Sequence, residues 1–340
     1  MENVTAVHNR LPQPRRIAEQ RWPADTPPLV SVLCCTFNQQ EYLRDCFRGI
    51  LMQETTFPVE VVVHDDASTD ATRTVIEEYA ARWPGLFVTV LQDENQYSLG
   101  RSRLAIAFRK AGGALIATCD GDDYWTNPGK LERQVRVLTE HDDCLLCGGR
   151  AFIIREPSAS PYNIVPSVPP ERLAGMGPWE ILRGEWWLNA CTRVTRRQLW
   201  VDYLDVIGND EATCDYIFML YCVSRSGMHP SCFHCLDEVV AVYREHPGGI
   251  FTRKSKEERL RADLRILRVA LNRFDFPAGR DLLENNVVAI CNELGLTRIG
   301  DAYVDALLTN ARARQRYRWL RSAAKAVREL YWKASRRLSR

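Results

Sequence analysis

Three carboxylates, Asp120, Asp122 and Asp123, fall within four residues directly behind a short apolar run, Ala114 to Thr118. Carboxylates packed this closely raise one another's pKa unless a cation neutralises them. Mg²⁺ or Mn²⁺ is the natural partner, because such an ion is held by one or two carboxylates together with substrate phosphates. Taken alone, the motif could also be an acidic turn capping the next helix. A second polar cluster, His64-Asp65-Asp66-Ala67-Ser68-Thr69-Asp70, follows the apolar run VEVVV. Ser68 or Thr69 reads as the N-cap of a following helix, which leaves Asp65 and Asp66 unexplained. A carboxylate at a strand end can accept hydrogen bonds from a pyrimidine N–H or a ribose hydroxyl.

The elements that must position these groups alternate along the chain. LVSVLCC from Leu29 reads as a strand, Glu41 to Met52 as a helix, and VEVVVHDD as a second strand. Thr69 to Arg82 continues as a helix, Leu86 to Leu91 as a strand, Ser98 to Ala111 as a helix and Ala114 to Thr118 as a strand. This order predicts an α/β fold, a mostly parallel central sheet with helices on both faces. Ligands bind beyond the carboxyl ends of such strands, so Thr36-Phe37-Asn38, Asp65 to Asp70 and Asp120 to Trp125 should meet on one edge. Residues 1–28 are Pro-rich and read as a flexible lead-in, and residues 155–180 as a long loop. A helix is expected at Tyr216 to Val223 and a strand at Glu238 to Tyr243, with helical, charged sequence after Gly249. The chain therefore divides into the lead-in, a catalytic domain at 29–250 and a helical C-terminal region at 251–340. Within the catalytic domain the nucleotide-binding half spans about 29–150 and the acceptor half about 151–250.

With 340 residues, 46% of them hydrophobic, the chain can bury a sizeable core. The net charge of +2 hides an asymmetry: residues 312–340 carry eleven Arg and Lys against the single acid Glu329, so the rest is net acidic. An acidic body argues against a nucleic-acid partner. The tail, with Tyr317, Trp319, Leu320, Tyr331 and Trp332 among its cations, suits an anionic membrane surface or packs on its own domain. The N-terminal residues lack the apolar stretch of a signal peptide, and no window approaches the roughly 18 apolar residues of a membrane span. A cytoplasmic protein is expected, with peripheral attachment to the inner membrane face through the tail as an option. The twelve cysteines lie mostly in apolar runs and read as reduced thiols. Cys144/Cys147 and Cys232/Cys235 have zinc-site spacing, although strand residues three apart face opposite sides.

The segments Pro28 to Asn38, Val59 to Thr72 and Gly113 to Gln134 together resemble the family-two glycosyltransferases of the GT-A fold, which act on nucleotide-diphospho sugars. The resemblance rests on Thr36-Phe37-Asn38, on Asp65 to Asp70, on Asp120-Gly121-Asp122-Asp123-Tyr124-Trp125, and on the trailing Pro128 and Lys130-Leu131-Glu132-Arg133-Gln134. It covers about residues 28–250. It implies that Thr36, Phe37, Asn38, Asp65, Asp66 and Ser68 hold the donor base and ribose, with Asp120 and Asp122 at the diphosphate. Asp122 would ligate the Mn²⁺ or Mg²⁺ ion directly, and Asp120 beside it. Asp215, opening an apolar helix, takes the place of the general base, with Asp210 and Glu211 as rivals. His246, in Tyr243-Arg244-Glu245-His246, would reach the diphosphate or complete the metal shell. Where the family carries Ala-Arg-Asn, this chain has Arg101-Ser102-Arg103, so Arg103 alone matches as a donor contact. Trp186 and Trp187 fall where acceptor contacts are expected, and could stack on a sugar or belong to the core.

The reaction implied is an inverting transfer from a nucleotide-sugar donor, UDP being the expected base, to a hydroxyl of a glycan or lipid-linked acceptor in cell-surface polysaccharide or lipopolysaccharide synthesis. A nucleotidyltransferase of related fold is one alternative, but Cys34-Cys35-Thr36-Phe37-Asn38 has no glycine for a phosphate loop. An inactive nucleotide-sugar-binding module is the other, and retention of Asp66, Asp122, Asp215 and His246 speaks against it.

Overall fold

The computed structural model describes residues 10–295 apart from 24, 186–187, 209–213 and 277. Among these, nine strands form one sheet: β1 (Val30–Thr36), β2 (Val59–Asp65), β3 (Phe87–Leu91), β4 (Leu115–Thr118), β5 (Tyr124–Trp125), β6 (Leu146–Arg155), β7 (Ser158–Val165), β8 (Val194–Arg196) and β9 (Phe233–Glu245). The spatial order is β3-β2-β1-β4-β8-β6-β9-β5, with β7 paired to β6. The half built from β3, β2, β1 and β4 is parallel throughout, as the alternation of strands and helices requires. Beyond β4 the sheet is mixed: β8 runs antiparallel to both β4 and β6, β9 is parallel to β6, and β5 is antiparallel to β9.

Among the described residues ten α-helices accompany it: α1 (Leu43–Leu51), α2 (Thr72–Arg82), α3 (Arg103–Phe108), α4 (Lys130–Glu140), α5 (Pro170–Leu173), α6 (Pro178–Leu182), α7 (Arg197–Ile207), α8 (Asp215–Arg225), α9 (Lys256–Arg273) and α10 (Arg280–Glu293). β1 and β2 are apolar on both faces because both faces are covered. Val32, Val61 and Val63 meet Phe47, Ile50, Leu131 and Val135 of α1 and α4 on one side. Leu33, Val62 and Ile116 share the other core with Phe108, Trp200 and Phe218 of α3, α7 and α8. Leu264, Leu267 and Leu271 of α9 and Leu283 and Val287 of α10 extend this second core, so the C-terminal helices are bound by burial of apolar surface.

Three segments differ from their sequence reading. Residues 15–20 of the expected lead-in are docked: Arg15–Arg16 pairs with Glu54–Thr55, Ile17 is buried, and the Gln20 side-chain amide donates to Thr55 O at 2.8 Å. The first part of the expected 155–180 loop is a strand, β7, folded back on β6. α2 starts at Thr72 with Ala71 at its N-cap, so neither Ser68 nor Thr69 caps it. Instead, Asp70 Oδ1 accepts the Thr72 N–H at 2.9 Å.

The motif residues after the acidic turn are scaffold. Trp125 Nε1–H donates to Cys191 O at 2.7 Å, and the Lys130 ammonium lies 4.0 Å from the Trp125 ring centroid. Burial pushes Lys130 down to about 8, and Gln134 Oε1 accepts from its ammonium at 2.8 Å. α1 approaches this region so closely that a Cβ on Gly49 would lie 2.6 Å from the backbone N and O of Trp125. Gly49→Ala, which in an open helix gains up to about 1 kcal/mol, is therefore expected to lose about 1–3 kcal/mol of stability in urea unfolding. A variant as stable as the wild type would show that α1 and β5 are not in tight contact.

Candidate active site

Strand register decides which side chains meet. β1 and β2 end level, with Thr36 opposite Asp65, while β4 stops short, with Leu33 opposite Thr118. The chain after β4 then runs on beside the end of β1: Cys119 N–H donates to Leu33 O and Gly121 N–H to Cys35 O, both at 3.0 Å. A Cβ on Gly121 would sit 2.6 Å from Gln39 Oε1 and 3.0 Å from Thr36 Oγ1, so the Asp120–Asp123 turn packs closely on Thr36 and a larger residue would have to displace the Gln39 side chain. β5 pairs Tyr124 with Val242, which returns His246 to the same turn.

The acids of this turn have different partners. Asp123 is buried and accepts the backbone N–H of Arg244 at 2.9 Å; burial and then Asp122 raise its pKa well above the usual carboxylate range. It ties β9 to the turn rather than facing solvent. Asp122 Oδ2 lies 3.1 Å from His246 Nε2. Burial pushes Asp120 up to about 7; Arg103 opposes the shift, and Asp122 and Asp215 add to it. Burial works against the Arg103 charge, but Cys35, Asp120, Asp66 and Asp122 together hold it, and the guanidinium lies 5.4 Å from the Tyr97 ring centroid. Asp215 is the first residue of α8, and its carboxylate pairs with the buried Arg193 at 3.5 Å. Asp120, Asp122, His246, Arg103 and Asp215 thus lie near one another at the carboxyl edge of the sheet, the candidate cleft.

The segments at 36–40 and 65–72 form the cleft's second wall, and most of their polar side chains are engaged with each other. Asn38 N–H donates to Ser68 Oγ at 2.9 Å, and Asn38 Oδ1 accepts Thr69 N–H at 2.8 Å. Asn38 and Ala67 both adopt left-handed backbone, at φ 51° and 63°, which for alanine costs about 1 kcal/mol. Asp65 accepts from Ser68 and pairs with Arg73 at 3.4 Å. Asp66 accepts the backbone N–H groups of Gln96 and Tyr97 at 2.7 and 3.1 Å, so its carboxylate anchors the loop after β3. Of the residues expected to hold the nucleotide, Phe37 is 39% exposed, and Arg103 and Asp120 are half-buried and close enough to act on each other electrostatically. Thr36 Oγ1 is buried without a hydrogen-bond partner. His64 is buried with both ring nitrogens unpaired, and burial holds its pKa below the usual range.

The donor set suits a divalent cation shared with a ligand. One carboxylate oxygen, the ligand type that suits Mg²⁺ or Mn²⁺, and one imidazole nitrogen, a general ligand of divalent first-row ions, lie 3.1 Å apart. Among the described residues no group of three or more His, Cys, Asp or Glu is arranged to hold a metal ion, so phosphate oxygens would complete the shell. Cys144, Cys147 and Cys232 are buried free thiols and Cys235 a partly buried one. Trp186 and Trp187, the rival bases Asp210 and Glu211, and the tail 312–340 lie outside the described residues. No described helix is long and apolar enough to cross a membrane. Arg193, Tyr97 and Tyr42 were not singled out by sequence reasoning, because their roles depend on contacts across the fold; Arg244 was noted only as part of its motif.

The fold is of the GT-A type, an α/β class with a partly parallel central sheet. Comparison with known proteins makes this specific: residues 31–194 match the model of glycosyl transferase family 2. An uncharacterized protein of Mycobacterium tuberculosis is 34% identical over 223 residues, 65% of this chain and 60% of that protein. The chain thus spans about 60% of that relative's length. A Bacillus subtilis protein provisionally named a teichuronic acid biosynthesis glycosyltransferase is 31% identical over 113 residues, 33% of this chain and 43% of its own. S. aureus TarS 1–349 in complex with UDP-GlcNAc superposes with a TM-score of 0.57 at 18% identity, covering 80% of this chain and 75% of that one. The mannosyltransferase PcManGT from Pyrobaculum calidifontis, in complex with GDP-Man and Mn²⁺, gives 0.55 at 18% identity over 92% and 85%. These structural likenesses show the fold.

Because Asp66 holds the loop after β3 through two backbone amides, Asp66→Asn is expected to speed hydrogen exchange at Gln96 and Tyr97 about tenfold or more. Unchanged exchange at both amides would mean that the loop is held by other contacts.

Proposed function

We propose that this cleft binds a nucleoside diphosphate sugar together with a divalent cation and transfers the sugar to an acceptor hydroxyl with inversion. The observation that carries the reading is the juxtaposition of the Asp122–His246 pair, Asp120 and Arg103 with Asp215, a carboxylate held at a helix start by the buried Arg193. Asp122 and His246 would hold the Mn²⁺ or Mg²⁺ ion, which when bound supplies neutralising charge at the leaving diphosphate. Arg103 faces the same carboxylates and adds a fixed positive charge where phosphates would lie. The exposed Phe37 ring and the neighbouring Thr36, Asn38 and Ser68 would offer the surface for base and ribose, with Asp65 bracing Ser68 and Asp66 holding the loop after β3.

Asp215 is assigned as the general base. Arg193 fixes its carboxylate, which can take the acceptor proton while the hydroxyl attacks the anomeric carbon opposite the leaving diphosphate. One displacement of this kind inverts the anomeric centre. Neighbours of the same fold in complex with UDP, UDP-GlcNAc and GDP-Man support a nucleotide-sugar donor, and UDP is the base we favour. A relative named for teichuronic acid biosynthesis supports an acceptor in cell-surface polysaccharide synthesis. Catalytic work is assigned to residues 29–250, with 251–340 as a helical extension.

The test is release of nucleoside diphosphate from UDP-GlcNAc and GDP-mannose, with Mn²⁺ and glycan or lipid-linked acceptors, by wild type and Asp215→Asn. General-base loss is expected to slow turnover about 10²–10⁴-fold with donor affinity unchanged. Near-full turnover by Asp215→Asn would remove its assigned role.

A further inference from the structure

Arg244 stands two residues before His246, and its side chain is 5% exposed. Burying a guanidinium costs several kcal/mol unless its surroundings compensate, and for stability alone an apolar side chain often serves as well. Here the compensating groups come from α1, from the turn between β6 and β7 and from two tyrosine rings. Nη2 donates to Asp45 Oδ2 of α1 at 3.1 Å; Nε lies 3.2 Å from Glu156 Oε1 in the turn between β6 and β7 as an ion pair, and neither Nε nor Nη1 has a hydrogen-bond partner among the described residues. The guanidinium is sandwiched between two rings, 4.7 Å from the Tyr42 centroid and 5.1 Å from that of Tyr124. Its backbone N–H is the group that Asp123 accepts at 2.9 Å. Tyr42 in turn packs on His246, with ring centroids 4.6 Å apart, and His246 meets Asp122 at 3.1 Å.

We propose that Arg244 is a positioning residue: it fixes Tyr42, which holds the His246 imidazole against Asp122 in the orientation that receives a divalent cation. The proposal rests on the metal-binding reading of the cleft. The chain of contacts is continuous, from the Asp45 carboxylate that holds Nη2 and the nearby Glu156 charge, through the Tyr42 ring, to the imidazole. Partners that orient a metal-binding histidine typically change metal affinity 10–100-fold when removed. Lysine in place of Arg244 keeps the charge but has neither the planar fork for two carboxylates nor a flat face for the rings.

Calorimetric titration with Mn²⁺, alone and with saturating UDP, tests this on the full chain, in wild type, Arg244→Lys, Tyr42→Leu, His246→Gln and the double variant Arg244→Lys/His246→Gln. Arg244→Lys and Tyr42→Leu are each expected to weaken Mn²⁺ binding about tenfold or more. Metal-free UDP binding should be unchanged, and the double variant should bind Mn²⁺ no more weakly than His246→Gln alone, because both act through one imidazole. The proposal is overturned if Arg244→Lys or Tyr42→Leu lowers only thermal stability and leaves the Mn²⁺ titration as in wild type. It is equally overturned if the losses multiply in the double variant. Wild-type Mn²⁺ affinity in His246→Gln would instead remove the metal reading beneath it, so the two failures are distinguishable. Should Arg244→Lys not fold, Tyr42→Leu decides, since it removes the link without stranding a charge.

Discussion

Four carboxylates, Asp120, Asp122, Asp123 and Asp215, crowd one edge of a buried sheet, and their mutual repulsion is the constraint the rest of the structure answers. Two unit charges 4 Å apart near a protein surface interact by about 4 kcal/mol, comparable to a large part of a domain's net stability. The fold gives each acid its own partner. Asp123 is buried on the Arg244 backbone N–H, Asp122 meets His246, Asp215 is held by Arg193, and Asp120 faces Arg103. What remains is a cleft whose local charge a bound cation would complete.

The scaffold serves that arrangement through backbone register more than through side chains. β4 stops three residues short of β1, so the acidic turn lies alongside Thr36 and packs closely on it at Gly121. The return of β9 beside β5 brings His246 and Arg244 to the same turn from more than a hundred residues away. The second wall is stiffened by Asn38, Ser68 and Asp65, and its two left-handed residues are the kind of local strain that collects at functional sites.

The parallel half of the sheet was legible in the sequence because β1, β2 and β4 are apolar runs separated by amphipathic helices, and the polar residues ending them are where ligands bind in such folds. Asp122, His246 and Asp215 were singled out through motif resemblance; in the structure Asp122 meets His246, and Asp215 is near enough to raise the Asp120 pKa. The mixed half was less so. β7 lies in a Pro- and Ser-rich stretch that reads as loop, and its strand character comes from pairing with β6 rather than from its own pattern. Asp66 looked like a ligand contact because its type and place fit one, yet its partners are backbone amides thirty residues on, which no local pattern reveals. The same holds for Arg193, whose meaning depends on the start of α8 lying beside β8.

The central claim is that the acidic turn and His246 form a metal-assisted nucleotide site. Calorimetric titration of the wild type and of Asp122→Ala with UDP, GDP and dTDP, each with and without Mn²⁺, tests it most directly. The account predicts that one nucleotide binds, that Mn²⁺ strengthens its binding, and that Asp122→Ala abolishes the strengthening. Absence of binding by all three, or Mn²⁺-dependent binding unchanged in Asp122→Ala, would contradict it.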